Sequence, residues 1–329
     1  MAGTDRPVLS IEDLTVRFDT PDGEVKAVSG VSLELGPGET LAVVGESGSG
    51  KSQTFLAIMG LLARNGRASG KALLAGVDLM ALARERLDEH RGRDISMVFQ
   101  DPMTAFNPVL RLSRQLTETL IAHKGMSPAE AGRQAIGMLE RVGIPDPARR
   151  FAAYPHELSG GMRQRAMIAM ALLCRPKVLI ADEPTTALDV TIQAQILELF
   201  ADLRRDFNTS LVLITHDLGV VAGLADRVAV MYAGRIVEQA PVDALFETPR
   251  HPYTQALLAS TPRADRDEAD LQVIKGQPPN LQRLPPGCSF APRCPHVIER
   301  CHDAPPPLET VAAGQRAACI RARELAGAQ

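Results

Sequence analysis

The chain has 329 residues, of which 45% are hydrophobic and 23% charged, so it can hold one large folded domain or two modest ones and is too ordinary in composition for global disorder. A formal net charge of -3 sets up no basic field for nucleic acid or acidic lipid. No window reaches the roughly 18 consecutive apolar residues of a membrane span, and Met1 to Pro7 lack the apolar stretch of a secretory signal. The expectation is therefore a cytoplasmic protein, with other chains supplying any membrane-spanning part.

From Val8 to Leu35, apolar and polar residues alternate around the turn Thr20-Pro21-Asp22-Gly23. This predicts antiparallel strands with Leu14, Val16 and Phe18 on one face. Leu41–Val44 is a short apolar run that feeds a glycine-rich loop, with a helix beginning near Lys51. Gly45-Glu46-Ser47-Gly48-Ser49-Gly50-Lys51-Ser52 matches the phosphate-loop pattern G-x-x-x-x-G-K-[ST] in full, with Gln53 following. Its glycines let backbone N–H groups curl around phosphate oxygens, and the helix that follows aims its unpaired donors at the same anion. Lys51 would take the β/γ-phosphates of ATP, and Ser52 would ligate Mg²⁺.

Further apolar runs recur at Ile95–Phe99, Val178–Ala181, Leu211–Ile214 and Val228–Met231, separated by helical patterns. That alternation predicts an α/β fold with a mainly parallel core sheet, preceded by the antiparallel N-terminal strands. Between about 103 and 175 the pattern is helical, which reads as an insertion. Within it, Leu158-Ser159-Gly160-Gly161-Met162-Arg163-Gln164 opens an amphipathic helix, with Ser159 a good N-cap and two glycines exposing a second set of helix-terminal donors. By itself this is an ordinary capped helix. Cys174 lies on the apolar side of that helical stretch and reads as buried core.

Val178-Leu179-Ile180-Ala181-Asp182-Glu183 is a buried strand ending in two carboxylates. Downstream of a phosphate loop, Asp182 would hold the Mg²⁺ shell and Glu183 would orient or deprotonate the attacking water. Beyond about His251 the composition shifts to Pro, Arg and Cys, which predicts a compact, loop-rich appendage. Four of the five cysteines fall there, as Cys288-x5-Cys294-x6-Cys301-x17-Cys319. Four thiolates suit either an iron–sulfur cubane or tetrahedral zinc, although the paired knuckles of structural zinc are missing.

Leu-Ser-Gly-Gly-x-x-Gln between a phosphate loop and an Asp-Glu strand resembles the signature of ABC-type ATPases. In that family the signature of one subunit completes the ATP site of a second, head-to-tail subunit, which would give Ser159, Gly160 and Gly161 an anion to bind. The resemblance covers roughly residues 8 to 250 and implies further roles. Gln100 resembles the glutamine that senses Mg²⁺ and the attacking water. Asp189, in Ala187-Leu188-Asp189, resembles the aspartate whose loop crosses the dimer interface, and His216 the switch histidine at the γ-phosphate. Phe18 is the candidate for stacking on adenine, with Val25 beyond the turn as the alternative.

Ala153-Tyr154-Pro155-His156-Glu157, the run from Phe99 to Pro108 and the run from His251 to Leu258 are similar to dipeptide/oligopeptide importer ATPases, particularly the D-type subunits of dipeptide permeases. Close relatives of that group serve nickel or sugars. The resemblance implies a second and related ATPase chain, two transmembrane permease subunits, an extracytoplasmic solute-binding protein and a peripheral place on the cytoplasmic face of the inner membrane. It also implies a [4Fe–4S] cluster on Cys288, Cys294, Cys301 and Cys319. The expected domains are 1–250, the ATPase, and 251–329, the extension. An exporter ATPase would usually carry fused membrane spans. A soluble ABC protein acting on DNA or ribosomes would carry two cassettes or a long coiled coil. A zinc module for nucleic acid would carry basic clusters with interleaved aromatics. None of these features is in the sequence.

Overall fold

The computed structural model describes residues 6–186, 189–260 and 274–325. Strands β1 (Leu9–Thr20) and β2 (Gly23–Leu35) form the N-terminal hairpin, followed by β3 (Thr40–Val44) and α1 (Lys51–Ile58). Then come β4 (Gly66–Leu74), β5 (Val77–Asp78), α2 (Arg84–His90) and β6 (Ile95–Val98). A helical run follows: α3 (Pro102–Ala105), α4 (Leu112–Lys124), α5 (Pro128–Arg141), α6 (Pro147–Phe151) and α7 (Gly160–Leu172). The chain continues through β7 (Val178–Asp182), α8 (Val190–Phe207), β8 (Ser210–Thr215), α9 (Leu218–Leu224), β9 (Arg227–Tyr232) and β10 (Arg235–Pro241). It ends with α10 (Val242–Glu247), α11 (Pro252–Ala259), β11 (Glu309–Ala312) and β12 (Gln315–Ala317). Packing divides these elements into two compact units, one built on residues 36–39 and 82–213, the other on 9–35, 40–81 and the chain from Ile214 onward.

In the first unit, β6 and β7 pair in parallel, Ile95 beside Val178 and Val98 beside Ala181, and both strands are buried throughout. Buried on both faces, they read as continuous apolar runs rather than alternating ones. The helical run packs through Leu112, Leu116 and Leu120 of α4 and Ala131, Ala135, Met138 and Leu139 of α5, the spacings that put side chains on one helix face. Ser127 caps α5 through the Glu130 N–H, with Pro128 in the first turn, where its missing N–H costs nothing. Asp94 ties this unit together by accepting from Arg93, Lys177 and His90. Burial alone would raise its carboxyl, but those three donors outweigh it and hold the group below its usual range.

The second unit holds a four-stranded antiparallel sheet in the order β2-β1-β4-β5 and a run of strands in the order β11-β12-β10-β9-β3. Its β3 and β9 are parallel, whereas β9 with β10, β10 with β12 and β12 with β11 are antiparallel. The sheet is thus more mixed than the alternating pattern predicts. The C-terminal appendage is also more regular than its Pro-rich composition suggests, because a short hairpin from it extends β10. Two strands of four and three residues carry too little periodicity to be read in advance.

The appendage is knotted to the sheet by aromatic rings. Tyr232 lies 4.5 Å from Tyr253 and 5.3 Å from Phe290, the latter edge-on. Beside them, the buried Glu238 carboxylate accepts from the N–H groups of Arg250 and His251 and from Gln315 Nε2. Burial pushes that carboxyl up, and the donors only partly offset it. Among the described residues no helix is long and apolar enough to cross a membrane.

Candidate functional site

The phosphate-loop motif lies where its sequence places it, between β3 and α1 in the second unit. Gly45 has φ +151° and Gly50 φ +100°, and a Cβ would sit 2.2 Å from the Met231 carbonyl oxygen at the first and 2.4 Å from that of Ala27 at the second. Only glycine fits this path. Gly48, by contrast, has φ +77° and open space where a Cβ would go, which leaves its backbone approachable from outside. Lys51 Nζ donates to the carbonyls of Gly45 and Glu46, at 2.7 and 3.1 Å. Ser49 Oγ is buried with no hydrogen-bond partner among the described residues. An exposed glycine backbone, a cationic Nζ and an orphaned hydroxyl suit a phosphate chain. Ser52 and Gln53 follow on α1, both half-buried, and Ser47 is exposed.

In the same unit Phe18 on β1 faces Val25 on β2, so the two candidates for an adenine contact are cross-strand partners. The Phe18 ring lies over Gly66 of β4, where a Cβ would come within 2.7 Å of Cε1. His216 follows β8 and is exposed, and Asp217 beside it caps α9 by accepting from the Gly219 N–H at 2.8 Å.

The first unit gathers the residues of the hydrolytic reading. Asp182 closes β7 and is buried. Glu183 next to it has φ +45°, a left-handed conformation that costs a non-glycine residue about 1–2 kcal/mol. Its Oε2 accepts from Gln100 Nε2 at 3.0 Å and from Thr186 Oγ1 at 3.0 Å. The structure thus brings Gln100 and Glu183, 83 positions apart, into direct contact. Gln164 of the signature helix donates to the Pro184 carbonyl at 2.7 Å, pinning the turn that carries Glu183. Gln164 closes the signature motif in the sequence, but its bond to the Glu183 turn had no signal there, and Thr186 was not singled out at all.

Ser159 caps α7 by accepting from the Met162 N–H, and Gly160 and Gly161 begin that helix near the surface. Asp189 caps α8 through the Ile192 N–H at 2.9 Å, a local role beside the one implied by resemblance. Ala187 and Leu188, quoted with it, lie outside the described residues.

In the appendage Cys288, Cys294, Cys301 and Cys319 line one small cavity with His251, Phe290 and His296. Burial, and then the neighbouring thiols, push Cys319 up to about 11, and burial likewise raises Cys288 and Cys294, so the protonated thiol is favoured. His251 is driven down to about 3 by complete burial and is neutral, with Nδ1 accepting from the Tyr253 N–H. The donor set for a four-sulfur site is therefore present around one space. Even so, no group of three or more His, Cys, Asp or Glu side chains among the described residues is gathered so as to hold a metal ion. The expected [4Fe–4S] cluster thus has its ligands nearby and no ready-made site. Mg²⁺ makes no such demand on the protein, because it takes one or two side chains plus phosphate oxygens and waters. Cys174 is buried and its thiol is raised by burial, as a core residue should be.

Comparison with known proteins places these features together. Residues 28–186 match the family model for ABC transporters, and residues 237–301 match that for the oligopeptide/dipeptide transporter C-terminal region. The oligopeptide transport ATP-binding protein OppD of Salmonella typhimurium is 55% identical over 95% of this chain and 93% of its own length. The dipeptide transport ATP-binding protein DppD of Bacillus subtilis is 55% identical over 89% of this chain and 88% of its own. Among solved structures, a bacterial ABC transporter cassette determined as a dimer aligns with TM-score 0.64 and 27% identity, covering 71% of this chain and 98% of that one.

Proposed function

The chain belongs to the ABC transporter ATP-binding proteins that carry the oligopeptide/dipeptide C-terminal region, and on that footing we propose that it is the ATPase subunit powering uptake of dipeptides or oligopeptides. The observation that carries this reading is the likeness to peptide-transport ATPases, which runs through both the ATPase residues and the appendage. Residues 1–250 act as the ATPase domain and 251–329 as the extension.

The roles follow from the chemistry of each residue. Gly45, Ser47, Gly48, Ser49 and Gly50 wrap the phosphates with backbone N–H groups, Lys51 adds its charge, and Gln53 lies in the first turn of α1. Ser52, Gln100 and Asp182 would hold Mg²⁺, which when bound would neutralise charge on the β- and γ-phosphates. Glu183 accepts a proton from the attacking water, and Gln100 fixes the carboxylate that does so, a role supported by their 3.0 Å hydrogen bond. His216 contacts the γ-phosphate, and Phe18 stacks on adenine. Ser159, Gly160, Gly161 and Asp189 serve the nucleotide of a second, related ATPase chain. Because ATP is then shared between two chains, binding favours the closed pair and hydrolysis releases it.

Two permease subunits and an extracytoplasmic solute-binding protein complete the importer, which holds this chain at the cytoplasmic face of the inner membrane. Cys288, Cys294, Cys301 and Cys319 would hold a [4Fe–4S] cluster, which would cross-link the appendage. Their shared cavity supports that assignment, and iron content with visible absorbance of protein purified without oxygen checks it.

The deciding experiment on hydrolysis is Glu183→Gln in the assembled complex. ATP hydrolysis should fall about 100- to 10,000-fold while ATP binding persists and a closed dimer accumulates. Unchanged turnover removes Glu183 as the base. Peptide-stimulated hydrolysis by the reconstituted importer tests the substrate class.

A further inference from the structure

We propose that Arg293, a residue of the C-terminal appendage, is a positioning residue for the phosphate-binding loop, which it pre-shapes for nucleotide by locking Glu46. The inference rests on the reading of Gly45–Ser52 as that loop.

Glu46 is the second residue of the loop, and every polar group it owns is engaged. Its N–H donates to Tyr253 Oη at 2.8 Å. Its carbonyl accepts from the Ser49 N–H at 3.2 Å and from Lys51 Nζ at 3.1 Å. Its carboxylate is gripped by both ends of the Arg293 guanidinium, Oε2 by Nη1 at 2.6 Å and Oε1 by Nη2 at 3.0 Å. Two of these anchors, Tyr253 and Arg293, come from 207 and 247 positions away in the chain. Neither belongs to the motif they hold.

The guanidinium is itself tightly placed. Its Nε donates to the Lys275 carbonyl at 3.1 Å, Nη1 also reaches Tyr232 Oη at 3.3 Å, and Nη2 reaches the Ile274 carbonyl at 3.4 Å. The Tyr232 and Phe290 rings flank it at 5.8 and 6.0 Å. Its side chain is 4% exposed and that of Glu46 27%, so the fork-to-fork pair is partly shielded from water.

This arrangement has two consequences for an anion-binding loop. A glycine-rich segment has many conformations to lose on binding, and fixing Glu46 beforehand removes part of that cost. A carboxylate at the mouth of a phosphate site also repels the ligand, and Arg293 neutralises it. The first effect concerns shape and the second charge, so they can be separated by mutation.

The test is equilibrium binding of Mg–ATP to the full chain, together with steady-state hydrolysis in the assembled complex. Arg293→Ala should weaken ATP binding about tenfold and raise KM accordingly, with kcat within about twofold of the parent. Arg293→Lys, which keeps the charge but not the fork, should fall between the two. Adding Glu46→Gln to Arg293→Ala should recover part of the lost affinity, because the unpaired negative charge is then gone. A purely structural role predicts no such recovery. The proposal is overturned if Arg293→Ala binds ATP like the parent, or if Glu46→Gln restores nothing. Should Arg293→Ala fail to fold, Arg293→Lys decides, and parent-like affinity in that variant overturns the proposal. Lys51→Ala serves as the control. If it too leaves binding intact, the reading of the loop itself has failed, whereas loss in that variant alone condemns only the role of Arg293.

Discussion

Two helices of this molecule begin with glycines, and they need them for opposite reasons. At the start of α1, Gly50 caps the helix in a left-handed conformation without side-chain help, and Gly45 and Gly50 are required by backbone carbonyls of the same unit that leave no room for a Cβ. At the start of α7 the cap is the Ser159 side chain, and Gly160 has nothing within 4 Å of where a Cβ would be. Gly161 meets only Ile192, at 3.5 Å, an ordinary contact. The first pair is explained by the packing of the chain itself. For the second, packing among the described residues gives no reason, and a surface that keeps its helix-terminal N–H groups bare is suited to a ligand that arrives from outside.

The contrast can be broken by substitution. Gly45→Ala should be the most damaging, costing about 3 kcal/mol or more because Met231 must move and the φ is unfavourable. Thermal melting with ATP-binding measurements would show it, and a variant that melts like the parent would mean that the loop yields easily. Ser159→Ala should cost about 1 kcal/mol of stability through loss of the cap. The same variant should lower hydrolysis in the assembled complex by more than that, if the hydroxyl also meets nucleotide. Gly160→Ala should have the smallest effect on folding, neutral or a few tenths of a kcal/mol stabilising. Its hydrolysis in the complex should nevertheless fall, and full activity would return these glycines to the status of an ordinary helix start.

How far the sequence speaks depends on how local the feature is. The phosphate loop is a run of eight neighbouring residues whose spacing alone dictates its path, and the strands β3, β6, β7, β8 and β9 were legible as short apolar runs between turns. The contact of Gln100 with Glu183 was readable only through resemblance, because nothing in either neighbourhood requires it. The left-handed backbone at Glu183 had no sequence signal, since glutamate seldom takes that conformation and the surrounding turn imposes it. The appendage was least legible. Its cysteines announce themselves, but its function as a brace on the loop depends on a tyrosine and an arginine that look unremarkable in a Pro- and Arg-rich stretch. The convergence of the four thiols on one cavity was expected, whereas a gathered metal site was expected and is not formed as the side chains stand.

The hairpin that the appendage lays along β10 has a further consequence. Glu238 and Gln239 of β10 pair with Ala317 and Arg316 of β12, and the Val237 carbonyl accepts from the Ala318 N–H, so the middle of that side of β10 is already taken. The strand left outermost is β11, only four residues long, with Glu309 at its start and its first two residues exposed. A long row of unpaired N–H and C=O groups invites a neighbouring chain to add a strand, and a short, charged terminal strand discourages it. Removing the last third of the appendage would therefore strip the cover from β10, and a shortened chain would be lost to aggregation before any defect in ATP turnover could be seen.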